Sequence, residues 1–488
     1  MQNGPINLYR AEQVRELERL AINIQGISSF ELMNRAGVAV FACMNHQWPE
    51  MQSVALFCGA GNNAGDGYIV ARLALLACFK VVVYSLVEPE CLSGDALLAY
   101  RQYQEVQGEI ILFHPDQVIA ADVLVDALFG IGLSRPITGL YAQAISLINA
   151  TNVKVIAIDI PSGIHADTGC VMACAVKAHC TVSFVALKQG LLTGSAVDYC
   201  GDIIYESLAV PDAAFLEIKP AIVRVTKALM PPRERYSHKG RYGHVLIIGG
   251  DHGYTGAARL AGEAALRMGA GLVSIATRVE HAALMNLSRP ELMCHGVETP
   301  EQLARLLDKA SIVVIGPGLG QSDWAKSLFN KTISAAKLMM IIDADALNLL
   351  AKTPSANPNW ILTPHPGEAA RLLNCTTAEI EQDRFASVAA IQAQYDGIAL
   401  LKGAGTLIAS ADDCAISTTG NPGMATGGMG DVLAGVIAGM VAQGLSIKEA
   451  AQQGTYHHGL AADNAVRGKG ERGLLASDLM PYLRVWSL

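Results

Sequence analysis

Short apolar runs alternate with helix-length stretches along almost the whole chain, and the alternation occurs twice. The first series comprises Ser53–Cys58, 80–87, 110–113, Val123–Ala127, 154–160, 181–185 and 202–205. The second comprises His244–Ile248, 272–276, Ile312–Ile315, 338–342, 360–363, 398–402 and 406–408. Runs of this length read as strands, and strands that are apolar throughout must be covered on both faces. Parallel neighbours need a long crossover, which the intervening stretches supply. Two three-layer α/β domains in tandem are therefore expected, over 1–215 and 236–488. The stretch 216–235, with Pro220, Pro231 and Pro232, reads as a linker or edge element. Ahead of the first series, Val14, Leu17, Ala21 and Ile24 recur at helical spacing up to a capping Gly26. Ser28 and Glu31 then open a second helix.

A chain of 488 residues has room for two or three domains at roughly 100–200 residues each. Hydrophobic residues are 51% and aromatic residues only 6%, so the cores must be built from Ala, Val, Leu and Ile. The net charge of −8 disfavours a nucleic-acid partner, whose phosphates call for a basic surface. The 11 cysteines are odd in number and form no C-x-x-C pair, the pattern of reduced thiols in a cytoplasmic protein. The first five residues have no basic or apolar character of a secretion signal. The longest charge-free apolar stretch, 432–447, falls short of the ~20 residues needed to span a bilayer. A cytoplasmic protein with no membrane partner is expected.

The run Ser53–Cys58 delivers into GAGNNAGDG (59–67), with a helix expected over 68–77. A glycine turn between strand and helix presents backbone N–H groups at a positive helix end, where a phosphate can sit. The spacing is of dinucleotide type, giving a Rossmann-like domain, and Glu88 stands about where a ribose-binding carboxylate would be. Two more strand ends carry polar groups: Asp126 before the loop 130–136, and Asp159 before Ile160-Pro-Ser-Gly163. Ligands of open α/β sheets bind beyond the carboxyl ends of the strands, so these groups can share one crevice with the Asn62–Asp66 turn.

GAGNNAGDG, VDALFGIGL and AIDIPSG together resemble the NAD(P)H-hydrate epimerase family over about residues 8–215. That resemblance implies that Asn62, Asn63, Ala64, Gly65 and Asp66, with Gly130, Ile131, Gly132, Leu133, Ser134, Arg135 and Pro136, hold the hydrated dinucleotide together with Asp159. It further implies a potassium ion held by oxygens of Asn63, Asp126 and Ser162, a donor set suited to a hard cation. Interconverting the R and S configurations at the hydrated ring carbon needs a proton-transfer group. Asp126 and Asp159 are both candidates.

In the second half the densest signal is GNPGMATGGMGD (420–431), running at once into an apolar helix. Its glycine N–H groups would line a helix N-terminus able to hold an anion. Asp431 in the first turn is placed to take a proton from a substrate hydroxyl. No G-x-x-x-x-G-K-[ST] is present, which excludes a P-loop enzyme. The pattern resembles the ribokinase-like superfamily. TPHPGE (363–368), KGAGT (402–406), GHVLIIGG (243–250) and IGPGLG (315–320) narrow the resemblance to the ADP/ATP-dependent NAD(P)H-hydrate dehydratase family over about 236–485. The resemblance implies nucleotide phosphates at Lys402, Gly403, Ala404, Gly405 and Thr406, with AMP near Gly430. It places the hydrate at Ala257, Gly318, Gly320, His365 and Asp431. Where ribokinase-like enzymes carry N-x-x-E this chain reads His365-Pro-Gly-Glu368, leaving Glu368 as the candidate for magnesium.

The chemistry is coherent. Hydroxide leaves poorly, whereas the same oxygen phosphorylated by ADP leaves well and restores the dihydronicotinamide, giving AMP and phosphate. The expected protein is a bifunctional isomerase and lyase that repairs NAD(P)H hydrates as a homo-oligomer. Two rival readings are a small-molecule kinase of the ribokinase superfamily and a non-catalytic nucleotide-binding module. The first would leave a stable phosphoester and the second would tolerate loss of Asp431.

Overall fold

The computed structural model describes residues 6–228, 230 and 232–487. The first five residues, read above for a secretion signal, and Pro231 of the proline-bearing stretch lie outside the described residues. Among the described residues no helix is long and apolar enough to cross a membrane. The chain divides into two compact units, Met1–Val223 and Arg224–Leu488. The stretch 216–235 carries a short strand, Ile222–Arg224.

The sheet of the first unit runs Glu109–Leu112, Lys80–Ser85, Ser53–Cys58, Val123–Ala127, Lys154–Ile158, Cys180–Phe184, Asp202–Glu206, every neighbour parallel. The chain builds outward in one direction from Ser53–Cys58 and then in the other from Val123–Ala127. The crevice between those two strand ends is the topological switch point. The helices Ala11–Gln25 and Ser29–Gln47 pack their apolar stripes, including Val14, Leu17, Met33 and Val40, into one large core cluster of this unit. Ser28 caps the second helix by accepting from the Glu31 N–H at 3.1 Å.

One expectation is corrected here. The helix after the glycine turn begins at Asn62 and runs to Leu76, six residues earlier than its apolar face suggests. The early turns contain Gly65 and Gly67 because there is no room for side chains. A Cβ on Gly65 would fall 2.7 Å from the Met33 sulfur, and one on Gly67 would fall 2.7 Å from the Ala127 Cβ. Glycines that look like a loop are here a close-packed helix start.

In the second unit the order is Cys414–Ser417, Thr406–Ala409, Ile398–Leu401, Trp360–Leu362, Met339–Ile342, Ile312–Ile315, His244–Ile248, Leu272–Thr277, Met293–Gly296. The last seven are parallel, and the first two join as antiparallel strands. Met293–Gly296 and Cys414–Ser417 were not visible as apolar runs because each is four residues long and mixed in character. Here the switch point lies between His244–Ile248 and Ile312–Ile315. The helix Met429–Ala442 starts three residues ahead of its expected origin and keeps Asp431 in the first turn. It lies against Thr255–Arg267 so closely that a Cβ on Gly435 would collide with the Ala261 carbonyl. Both units are three-layer α/β folds, the class expected from the sequence.

Candidate functional sites

A cavity of about 600 Å³ opens at the switch point of the first unit. Asn62, Asn63 and Asp66 enter it from the glycine-rich helix start, Gly130, Ile131, Gly132 and Leu133 from the loop after Val123–Ala127, and Asp159 from the end of Lys154–Ile158. Those eight expected residues meet there. Ala64 and Gly65 are buried in the helix packing instead. Ser134, Arg135, Pro136 and Glu88 are not among the lining residues. Glu88 is exposed, since its strand ends early at Ser85 and a turn through Pro89–Cys91 carries the chain away.

The two aspartates left as alternatives differ sharply. Asp126 is fully buried, and its carboxylate accepts from the Ser162 hydroxyl at 2.6 Å, the Ser162 N–H at 2.7 Å and the Leu128 N–H at 3.3 Å. Burial pushes this carboxyl up to about 6, against the pull of those bonds. It does not line the cavity. Asp159 does, and it holds a left-handed backbone angle of 65°, a strained state that clusters at working sites. Its carboxylate accepts from the Phe184 N–H at 3.1 Å and forms an ion pair with the buried Lys188. Lys188 also donates to the Ser183 hydroxyl at 3.2 Å and the Phe184 carbonyl at 2.8 Å. Asn63 is buried with its amide nitrogen unpartnered. A Cβ on Gly130 would lie 3.3 Å from the amide oxygen.

In the second unit, the Gly428 φ of 91° turns the chain into the helix Met429–Ala442 and directs the first-turn N–H groups outward. Beside that turn lies a charge cluster. Lys402 donates to the Asp343 carboxylate at 2.9 Å and stands 3.7 Å from Glu368, and Asp343 also accepts from the Thr363 hydroxyl at 2.8 Å. A Cβ on Gly430 would come within 3.2 Å of the Lys402 nitrogen and 3.6 Å of Asp343. Burial pushes the Asp431 carboxyl up to about 7, reinforced by Asp343 and opposed by Lys402.

His365 and Glu368 cap the helix Pro366–Leu373 reciprocally. The His365 ring accepts from the Gly367 N–H at 2.9 Å and Glu368 accepts from the His365 N–H at 2.8 Å. The Lys402–Thr406 turn joins two antiparallel strands, with Gly403 at φ 142° and Gly405 at φ 62°. Arg384 lies beneath it, donating to the Lys402 carbonyl at 3.1 Å. On the other side of the switch point Gly318 and Ala257 meet, since a Cβ on Gly318 would sit 3.1 Å from that of Ala257. One on Gly320 would lie 3.0 Å from Asp251.

Sequence reasoning missed Glu18, Lys188, Asp343 and Arg384. Lys188 is the one charge in the run CTVSFVALKQGLL (180–192), a readable signal. Asp343 ends a strand just as Asp126 and Asp159 do. Glu18, among the charges of an amphipathic helix, gave no signal.

Each unit thus places a glycine turn and a buried carboxylate at its own switch point, the arrangement of a two-domain, nucleotide-handling α/β enzyme. The NAD(P)H-hydrate dehydratase family matches residues 245–484, and the YjeF-related protein N-terminus family matches residues 29–190. Similar along nearly their whole lengths are the bifunctional NAD(P)H-hydrate repair enzymes of Coxiella burnetii (49% identical, covering 98% of this chain and 99% of the relative) and Escherichia coli (43%, covering 99% and 95%). The namesake from Leishmania braziliensis is 37% identical, covering 98% and 93%. Among solved structures, the ADP/ATP-dependent NAD(P)H-hydrate dehydratase from Bacillus subtilis, co-crystallised with ATP and Mg2+, is 33% identical over 53% of this chain and 94% of its own, with a TM-score of 0.48. The chain belongs to the bifunctional NAD(P)H-hydrate repair enzyme family.

Proposed function

We propose that residues 1–215 interconvert the R and S hydrates of NADH and NADPH, that 216–235 link the halves, and that 236–488 dehydrate the S form at the expense of ADP. The observation that carries this reading is the placement of Asp431. It stands in the first turn of a glycine-led helix next to the paired Lys402 and Asp343, where a carboxylate can take a hydroxyl proton as that oxygen is phosphorylated. In the dehydratase half Lys402 and the turn through Gly403, Ala404, Gly405 and Thr406 hold the nucleotide phosphates, and Gly430 leaves room for AMP. Ala257, Gly318, Gly320 and His365 flank the hydrate. Arg384 fixes the phosphate turn from below, and Asp343 aims the Lys402 ammonium. Glu368, with Asp343, supplies carboxylate oxygens suited to magnesium, which when bound neutralises the transferring phosphate.

In the epimerase half the ligand set for potassium is Asn63, Asp126 and Ser162. The fit rests on a buried carboxylate whose hydrogen-bond partners are all neutral donors, with the Ser162 hydroxyl and the Asn63 amide oxygen as further hard oxygens. Asp159 rather than Asp126 is then the proton-transfer group, because it alone of the two faces the cavity. The eleven free cysteines support a cytoplasmic setting, and the exposed Ile24 and Val38 on the N-terminal helices support a homo-oligomer, which light scattering tests.

The deciding experiment mixes the purified chain with both epimers of NADH hydrate, magnesium and potassium, and follows dihydronicotinamide absorbance with and without ADP. Full, ADP-dependent recovery is expected. Arrest at the S fraction removes the epimerase assignment, and a stable phosphorylated product removes the dehydratase in favour of a kinase.

A further inference from the structure

The substrate's reacting group is a hydroxyl on a ring carbon bonded to nitrogen. It can depart as water, leaving a ring cation that water re-enters from either face. Such a reaction needs a proton donor for the departing oxygen, a proton acceptor for the returning one, and negative charge around the cation. Asp159 and Lys188 fill only the second of these roles. The cavity wall offers more. Glu18, from the helix Ala11–Gln25, lines it together with Asp66 and Asp159, giving three carboxylates around one buried ammonium.

We propose that Glu18 is the general acid of the epimerase site, protonating the departing hydroxyl while Asp159, paired with Lys188, takes the proton of the returning water. The carbon–oxygen bond breaks as Glu18 gives its proton, and the ring nitrogen's lone pair forms the C=N bond. Water then adds to the opposite face, Asp159 takes its proton, and that proton returns to Glu18 through solvent, so nothing is consumed. The assignment rests on the first unit being the epimerase.

The surroundings divide the two roles. Asp159 has the buried Lys188 ammonium as its ion-pair partner. Glu18 is desolvated and faces Asp159, which together push it up to about 7 against Lys188 and Arg15, so near neutral pH it exchanges a proton readily in either direction. Asp66, on the helix Asn62–Leu76, is pushed well above the usual carboxylate range by burial and by Asp159 and Glu18. The other charged groups facing Glu18 across the cavity are Arg15 on its own helix and Asp95 from the start of Gly94–Glu105. The helix Ser29–Gln47 lines it with Ser29, Leu32, Met33 and Ala36 alone.

The test follows hydrate interconversion by chromatography in the full-length chain, without ADP. Glu18→Gln keeps the size of the side chain but has no proton to give, so kcat is expected to fall by roughly 100-fold or more with KM nearly unchanged. Glu12→Gln, the same change on the same helix but outside the cavity, should stay within about tenfold of wild type on the same scale. Wild-type kcat/KM should decline above pH 7, and Glu18→Gln should lose that decline. In water enriched with oxygen-18, wild type should place one solvent oxygen in the product per inversion. A Glu18→Gln variant within twofold of wild type, or an inverted product that keeps its original oxygen, overturns the proposal. A wild-type chain that interconverts nothing overturns instead the epimerase assignment beneath it.

Discussion

At the scale of single residues, both halves use the same device: a carboxylate at or beside a strand's end, desolvated, with a lysine ammonium in reach. Asp431 must be ionised to accept a proton, and its carboxyl lies at about 7 before nucleotide binds. Since kcat/KM reports the free enzyme, kcat/KM for ADP should rise from pH 6 to 8 and fall about tenfold per pH unit well below 7. Asp431→Asn should cost the dehydratase roughly 10²–10⁴ in rate and leave interconversion of the epimers intact, as chromatography of the hydrates will show. Asp343→Asn takes the charge partner from Lys402 and should raise KM for ADP more than it lowers kcat, readable in steady-state kinetics. Site residues at strand ends were legible because apolar runs announce where strands stop. Lys188 is equally legible, as the single charge in an otherwise uncharged run. Glu18 was not legible, because a charge on an amphipathic helix has the same pattern whether it faces solvent or a cavity.

At the scale of elements, glycine does the positioning. A Cβ on Gly430 reaches toward the Lys402 nitrogen and Asp343, so Gly430→Ala should keep the fold and weaken ADP binding, measurable by calorimetry as a severalfold higher Kd. Gly435 serves packing only: its added Cβ meets the Ala261 carbonyl across the helix pair Met429–Ala442 and Thr255–Arg267. Gly435→Ala should cost about 1–3 kcal/mol, seen as a lower Tm of the second unit without a change in KM. The order of apolar runs made the sheets readable. Helix starts were misread wherever the first turn was glycine-rich, at Asn62 and at Met429, since glycine carries no face to show periodicity. Short mixed strands such as Met293–Gly296 take their place from the neighbour they pair with, which no local window contains.

At the scale of the whole chain, two units with separate cores and separate switch points act on successive forms of one metabolite. Their chemistry needs only that the S hydrate pass from one site to the other. A chain carrying Asp431→Asn and a chain carrying Asp159→Asn, mixed in one cuvette with ADP, should together recover the full dihydronicotinamide absorbance that neither recovers alone. Recovery that stops at the S fraction in the mixture would mean that each half works only beside an intact neighbour in its own chain.

The ammonium of Lys402 rests on Asp343 and Glu368. If Lys402 holds the nucleotide phosphates as proposed, an arriving phosphate must draw it away from an internal counterion, and a spent nucleotide with fewer charges competes less well for it. The carboxylates that orient the lysine for binding also reclaim it afterwards. On the proposed assignment the enzyme's own anions help AMP to leave, and the site is tuned to let go as much as to hold.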